Sequence, residues 1–179
     1  IFFSGNDLIQ GNYIGVTAAG NAPLGNGFNG VEINDSTLTF VGNGVAGATN
    51  VISANTAGGG LSNGVYVHGG MSGMNAVQGN IIGLDPDGAS GGGNSDVGIA
   101  IISGSGNLIG GLTAAARNVI SKNYEGIEIN TANNVVQGNY VGTDAGGTLN
   151  RGNRTSDGVQ LQGNASGNTI GGSAAGAGN

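Results

Sequence analysis

The chain reads as an all-β solenoid, in which short strands pile coil on coil around a thin aliphatic core. Three observations predict this. Five segments have the form Gly-hydrophobic-X-hydrophobic: Gly30-Val31-Glu32-Ile33, Gly64-Val65-Tyr66-Val67, Gly98-Ile99-Ala100-Ile101, Gly126-Ile127-Glu128-Ile129 and Gly158-Val159-Gln160-Leu161. Their starts lie 34, 34, 28 and 32 residues apart, a range that signals stacked repeats. The composition agrees: 41 of 179 residues are Gly, aromatics are 4% and charged residues 8%. Such a chain lacks the large side chains for a rounded core, and it has too little charge and too much Val and Ile for disorder. A solenoid needs only a narrow core that each coil extends. Third, two more strand columns recur in every period.

The Gly-led segment is the first strand of each coil. The second column holds Leu8-Ile9, Phe40-Val41, Ala76-Val77, Leu108-Ile109, Val135-Val136 and Thr169-Ile170, each followed by Gly at once or after one Gln. The third starts on Asn: Asn12-Tyr13-Ile14, Asn50-Val51-Ile52, Asn80-Ile81-Ile82, Asn118-Val119-Ile120 and Asn139-Tyr140-Val141. Short Val- and Ile-rich runs bounded by turn residues are strand signals. Three strands per coil give three parallel sheets and about five to six coils. Val31, Ile33, Val41 and Ile52, with their counterparts, are the expected core, each worth about 1.5–3 kcal/mol on burial. Helix is not expected; the Ala-rich stretch Thr113 to Arg117 is one turn long and follows Gly110-Gly111.

Coils alternate in type. In one, Gln10-Gly11-Asn12, Gln78-Gly79-Asn80 or Gln137-Gly138-Asn139 joins strands two and three tightly. A long loop then leads onward, over Val16 to Asn29, Leu84 to Val97 and Thr143 to Asp157. In the other type the long connection lies between strands two and three, as in Gly110 to Asn118. The Asn that opens each third strand is expected to form an internal ladder. Asn tolerates left-handed turns, and its amide can bond to the amide stacked on it.

Composition also excludes function classes. Without Cys there is no disulfide framework or thiolate metal site. A net charge of −6, with Arg151 and Arg154 the only cations close in sequence, argues against nucleic acid. No apolar run approaches the ~18 residues of a membrane span, and no signal peptide is visible. Low charge with much Asn, Gly, Ser and Thr suits an extracellular or cell-surface protein.

The phrases Val135-Val136-Gln137-Gly138-Asn139-Tyr140-Val141-Gly142-Thr143-Asp144 and Ala116-Arg117-Asn118-Val119-Ile120-Ser121 resemble the right-handed parallel β-helix repeats of bacterial surface and secreted proteins, within the pectate-lyase-like superfamily. The resemblance covers nearly the whole chain. It implies a right-handed parallel β-helix and leaves activity open, because the fold hosts lyases, hydrolases, adhesins and passive stalks. Polygalacturonases carry Asn-Thr-Asp, Gly-Asp-Asp, Gly-His-Gly and Arg-Ile-Lys motifs. None occurs here; Val67-His68-Gly69-Gly70 comes nearest and lacks the leading Gly. The calcium-binding carboxylate cluster with a nearby Arg or Lys, expected of lyases, is also not found.

The outward residues of the first sheet are expected in one column: Phe2, Glu32, Tyr66, Ala100, Glu128, Gln160. Phe2, Glu32, Tyr66 and the following His68 form a candidate carbohydrate-binding face, with the aromatic rings as stacking surfaces. The competing reading is scattered exposed aromatics, solvated carboxylates and a surface His without a charged partner. Glu32 and Glu128 are three coils, or ~14 Å, apart, beyond the spacing of glycosidase carboxylate pairs. Asp85, Asp87 and Asp96 offer oxygen ligands for a weakly bound calcium, against the alternative of a plain polar turn. Apart from that calcium no cofactor is expected.

The opening Ile1-Phe2-Phe3 reads as a first-strand segment, and Asn179 stands where a third strand begins. Neither end reads as an amphipathic cap helix. Axial continuation is therefore expected, through flanking repeats or copies stacked end to end. The leading expectation is a non-catalytic stalk, adhesin segment or fibre subunit. The alternative is a carbohydrate-active or carbohydrate-binding β-helix.

Overall fold

A computed structural model describes residues 1–56, 62–154 and 157–179. The long loop from Thr143 therefore includes two residues, 155 and 156, outside the described set. The chain is a parallel β-solenoid of about five turns, with three sheets along its sides. The first sheet stacks β3 (Val31–Asn34), β6 (Val65–His68), β9 (Val97–Ile101), β12 (Glu125–Ile129) and β15 (Val159–Leu161). The second stacks β1 (Leu8–Ile9), β4 (Phe40–Val41), β7 (Ala76–Val77), β10 (Leu108–Gly110), β13 (Val135–Gln137) and β16 (Thr169–Ile170). The third stacks β2 (Tyr13–Ile14), β5 (Val51–Ile52), β8 (Ile81–Ile82), β11 (Val119–Ile120) and β14 (Tyr140–Val141). The single helical element among the described residues is a 3₁₀ turn, Ala114–Ala116, capped by the Thr113 side chain.

Pairing is parallel and in register. Val31, Val65, Ile99, Ile127 and Val159 align across the first sheet. Their side chains, with Ile33, Val67, Ile101, Ile129, Val41, Val77, Ile109, Val136, Ile52, Ile82 and Ile120, form one continuous core. The Gly that leads the first strand follows from this packing at Gly30, Gly64, Gly98 and Gly126, whereas a Cβ on Gly158 would meet only Val141 Cγ1 at 3.6 Å. A Cβ on Gly98 would lie 2.7 Å from Ile120 Cγ2 and 2.8 Å from Asn123 Nδ2. The sheet corner leaves no room for a side chain there.

The Asn ladder runs Asn12, Asn50, Asn80, Asn118, Asn139, Asn179. Nδ2 of each donates to Oδ1 of the next at 2.8–3.0 Å. The same oxygens accept backbone N–H groups, as Asn118 Oδ1 does from Asn80 N at 3.0 Å. The second amide hydrogen reaches a strand carbonyl, Asn80 Nδ2 to Val41 O at 2.8 Å. Buried corner groups are thus satisfied. A second ladder links Asn26, Asn55, Asn94, Asn123 and Asn153 at the third-to-first corner. Another precedes the second sheet, through Thr39, Asn75, Asn107, Asn134 and Asn168.

The long loops that follow the third strand leave and return at one place. The N–H groups of Leu24, Gly93 and Arg151 bond back to the carbonyls of Gly15, Gly83 and Gly142. Each excursion is a hairpin-like turn, with antiparallel bridges Val16 to Pro23 and Thr143 to Asn150. Two chain passes occupy roughly two coil spacings, about 9–10 Å. Hairpins on alternate coils therefore meet: Ala145 N–H bonds to Gly88 O at 2.8 Å. This accounts for the two-coil alternation.

One strand alignment needs correction. Phe2 bridges Asn34, not Glu32. The Ile1 amino group instead bonds to Glu32 O at 2.8 Å. The opening segment is thus shifted by two residues along the sheet. Ile1-Phe2-Phe3 is apolar throughout, and a shift of two keeps every side chain on its face, so the pattern does not fix the register.

Candidate functional site

The outer face of the first sheet gathers most of the candidate residues. Register places Glu32, Tyr66, Ala100, Glu128 and Gln160 in one column, as the sequence indicates. Asn34 and His68 pair in the next column, and Phe2 belongs with them. Phe2 is exposed and sits beside, not within, the Glu32 column.

His68 has a charged partner, contrary to the sequence reading. Its Nε2 lies 2.8 Å from Glu32 Oε1. Asn29 Nδ2 holds the other oxygen, Oε2, at 3.2 Å. The Tyr66 ring stacks on the His68 imidazole, with centroids 4.5 Å apart and planes at 26°. Strand alternation accounts for the group: Tyr66 and His68 point to the same face two residues apart, and Glu32 lies one coil away. Asp35 takes a left-handed conformation after β3, and its carboxylate accepts the Met71 N–H at 3.0 Å.

Beside this group lies a hollow of about 260 Å³, lined by Asn29, Asn63, Tyr66, Asp96, Ala100, Ile102 and Glu128. Ala100 stands between the larger Tyr66 and Glu128 in the column, and the size difference opens the space. Asn130 Nδ2 donates to Glu128 Oε1 at 2.8 Å, and Gln162 Nε2 bonds to the same oxygen. Asp96 has a raised pKa, mainly through burial and then through the Glu128 charge. Tyr66 is raised as well, first by burial and then by Glu32, Glu128 and Asp96.

Asp96 is thereby separated from Asp85 and Asp87. The hairpin after β8 closes through Gly93 N–H to Gly83 O at 3.0 Å. Residues 94–96 belong to the next coil, beyond the Asn94 rung. Asp85 and Asp87 remain in the hairpin tip, where Ser90 Oγ bonds to both carboxylates at 3.2 and 2.7 Å. The Ser90 hydroxyl bond first, and then the Ser90 and Ala89 N–H groups that Asp87 also accepts, hold its pKa low. Among the described residues, no group of three or more His, Cys, Asp or Glu side chains is arranged to hold a metal ion. The three carboxylates proposed from sequence are therefore not one ligand set.

The sequence reading missed Asp96 and Glu128 as neighbours. Their proximity depends on where the hairpin ends, and loop length hides that. Comparison with family models, curated proteins and solved structures gives no match to this chain.

Proposed function

We propose that the chain is a non-catalytic structural solenoid, part of an extracellular or cell-surface stalk, adhesin or fibre. The observation that carries this reading is the repetition of the axial contacts. From Asn12 to Asn179 every rung of the ladder uses the same donor and acceptor as the rung before it. Any coil can thus seat another coil of its kind, whether from flanking repeats or from a second copy. Continuous hydrogen-bond ladders and an unbroken aliphatic core favour a stiff rod. Kinship with pectate-lyase-like surface proteins is part of the same proposal and rests on the repeat phrases alone.

A second reading, carbohydrate binding at the first-sheet face, is favoured by the hollow beside Tyr66. The two readings are separable. Electron microscopy of the intact source protein, with immunolabelling of this segment, is expected to show a straight rod outside the cell. A compact intracellular particle would overturn the structural reading. So would turnover of a polysaccharide by the purified chain that Asp96→Asn or Glu128→Gln abolishes.

A further inference from the structure

We propose that the hollow between Tyr66 and Glu128 binds an amino sugar, with its protonated amine between the Asp96 and Glu128 carboxylates. The proposal goes beyond the structural role and does not depend on it.

The shape comes first. The floor is apolar, formed by Ala100, Ile102 and the Tyr66 ring, and the hollow measures about 260 Å³. Such a floor suits the C–H face of a sugar ring, which packs on aromatic and aliphatic surface. His68 supports the Tyr66 ring from one side, Glu32 holds His68, and Asn29 holds Glu32 in turn. The platform is therefore built before any ligand arrives.

The rim accepts hydrogen bonds and donates few. The amides of Asn29 and Asn63 are engaged: Asn29 Oδ1 accepts from Asn63 N and Nδ2 at 3.0 Å, and Asn63 Oδ1 accepts from Val97 N at 3.2 Å. Asn130 and Gln162 occupy Glu128 Oε1, so what remains is Glu128 Oε2, the Asp96 carboxylate beside its Val97 N–H, and the Tyr66 hydroxyl. The fitting ligand brings donors, as hydroxyls and an ammonium do.

The charge is uncompensated. Among the described residues, no Lys or Arg lines the hollow. Arg117 stacks on Tyr140 at 4.1 Å, and Arg154 bonds to the Gly92 and Asn94 carbonyls. Burial and the neighbouring Glu128 both oppose ionisation of Asp96. A cation seated there relieves that conflict. A bare divalent ion fits poorly, since two carboxylates fall short of a calcium shell. An organic ammonium uses both carboxylates and the apolar floor together.

Titration calorimetry on the full chain tests this, with four probes: a glucosamine oligosaccharide, its N-acetylated form, calcium chloride and an oligolysine peptide. The glucosamine oligosaccharide is expected to bind. Acetylation, Asp96→Asn and Glu128→Gln should each weaken it by about tenfold or more, which is about 1.4 kcal/mol. Thermal unfolding of both variants verifies that the solenoid is intact, and either variant alone suffices. Absence of binding, equal binding of the acetylated form, or unchanged affinity in a folded variant overturns the proposal. Calcium or oligolysine binding with the same variant dependence overturns it too, because the site would then be selective for charge alone. Binding without turnover leaves the structural reading standing, so the two proposals fail separately.

Discussion

Glu32 Oε1 and His68 Nε2 lie 2.8 Å apart on neighbouring coils, although 36 residues separate them in the chain. The pair is about one-third exposed on the Glu32 side, so solvent screens it. A double-mutant cycle with Glu32→Gln and His68→Ala should give a coupling of about 0.2–1 kcal/mol at a pH where His68 is charged. A coupling near zero would mean that the two side chains act independently.

The ladder predicts a gradient of cost. Asn80→Ala removes the acceptor for Asn50 and the donor to Asn118 and Val41, all buried. Denaturant unfolding should show a loss of about 2–4 kcal/mol. Asn12→Ala removes one exposed bond to Gln10 and one part-buried bond to Asn50, and should cost about 1 kcal/mol or less. Equal costs at the two positions would contradict the ladder as the corner's support.

Backbone geometry predicts a contrast between two glycines. Gly83 has φ +94°, and a Cβ there would stand 1.9 Å from Ser121 O. Gly70 has open space around its missing Cβ. Gly83→Ala should cost about 3 kcal/mol or more, or prevent folding, whereas Gly70→Ala should stay within about 0.5 kcal/mol of the parent. Thermal melts of the two variants decide this.

The pH dependence has two opposing parts. Asp96 has its folded pKa raised, so its charged form opposes folding. Its contribution improves as pH falls through that folded value and levels off below the unfolded value. Asp144 is the reverse. N–H groups of Leu149 and Thr148 hold its carboxylate and lower its pKa. Its stabilisation is present above the unfolded pKa and is lost as pH falls through the folded one. Asp96→Asn should therefore raise stability at neutral pH, by under about 1 kcal/mol, and the gain should fade in acid. A gain that grows with acidification would contradict the sign.

Much of the fold was legible because a solenoid repeats its local rules. All three strand columns and the Asn12-to-Asn179 ladder follow from local signatures that recur in every coil, although the connections between them vary in length. The Asn26-to-Asn153 ladder was not legible. Asn55 and Asn123 follow the third strand by three residues, while Asn94 and Asn153 follow it only after a hairpin excursion. The ladder beginning at Thr39 and Asn75 had a readable signal, since Asn75, Asn107, Asn134 and Asn168 each directly precede a second-column strand. In the candidate site, Tyr66 and Glu32 were placed by period. Asp96 was not, because its coil is decided by where Gly93 bonds back to Gly83.

Register is the claim on which the face, the core and the ladders all depend, and the absence of native Cys allows a direct test. Leu108 and Val135 are aligned partners on adjacent coils, while Gln137 lies two residues further along. A disulfide needs Cα atoms within about 7 Å, which an aligned pair meets and an offset of two residues exceeds. Under mild oxidation Leu108→Cys with Val135→Cys should cross-link readily, and Leu108→Cys with Gln137→Cys should not. Efficient cross-linking of the offset pair, with none in the aligned pair, would contradict the stacked solenoid described here.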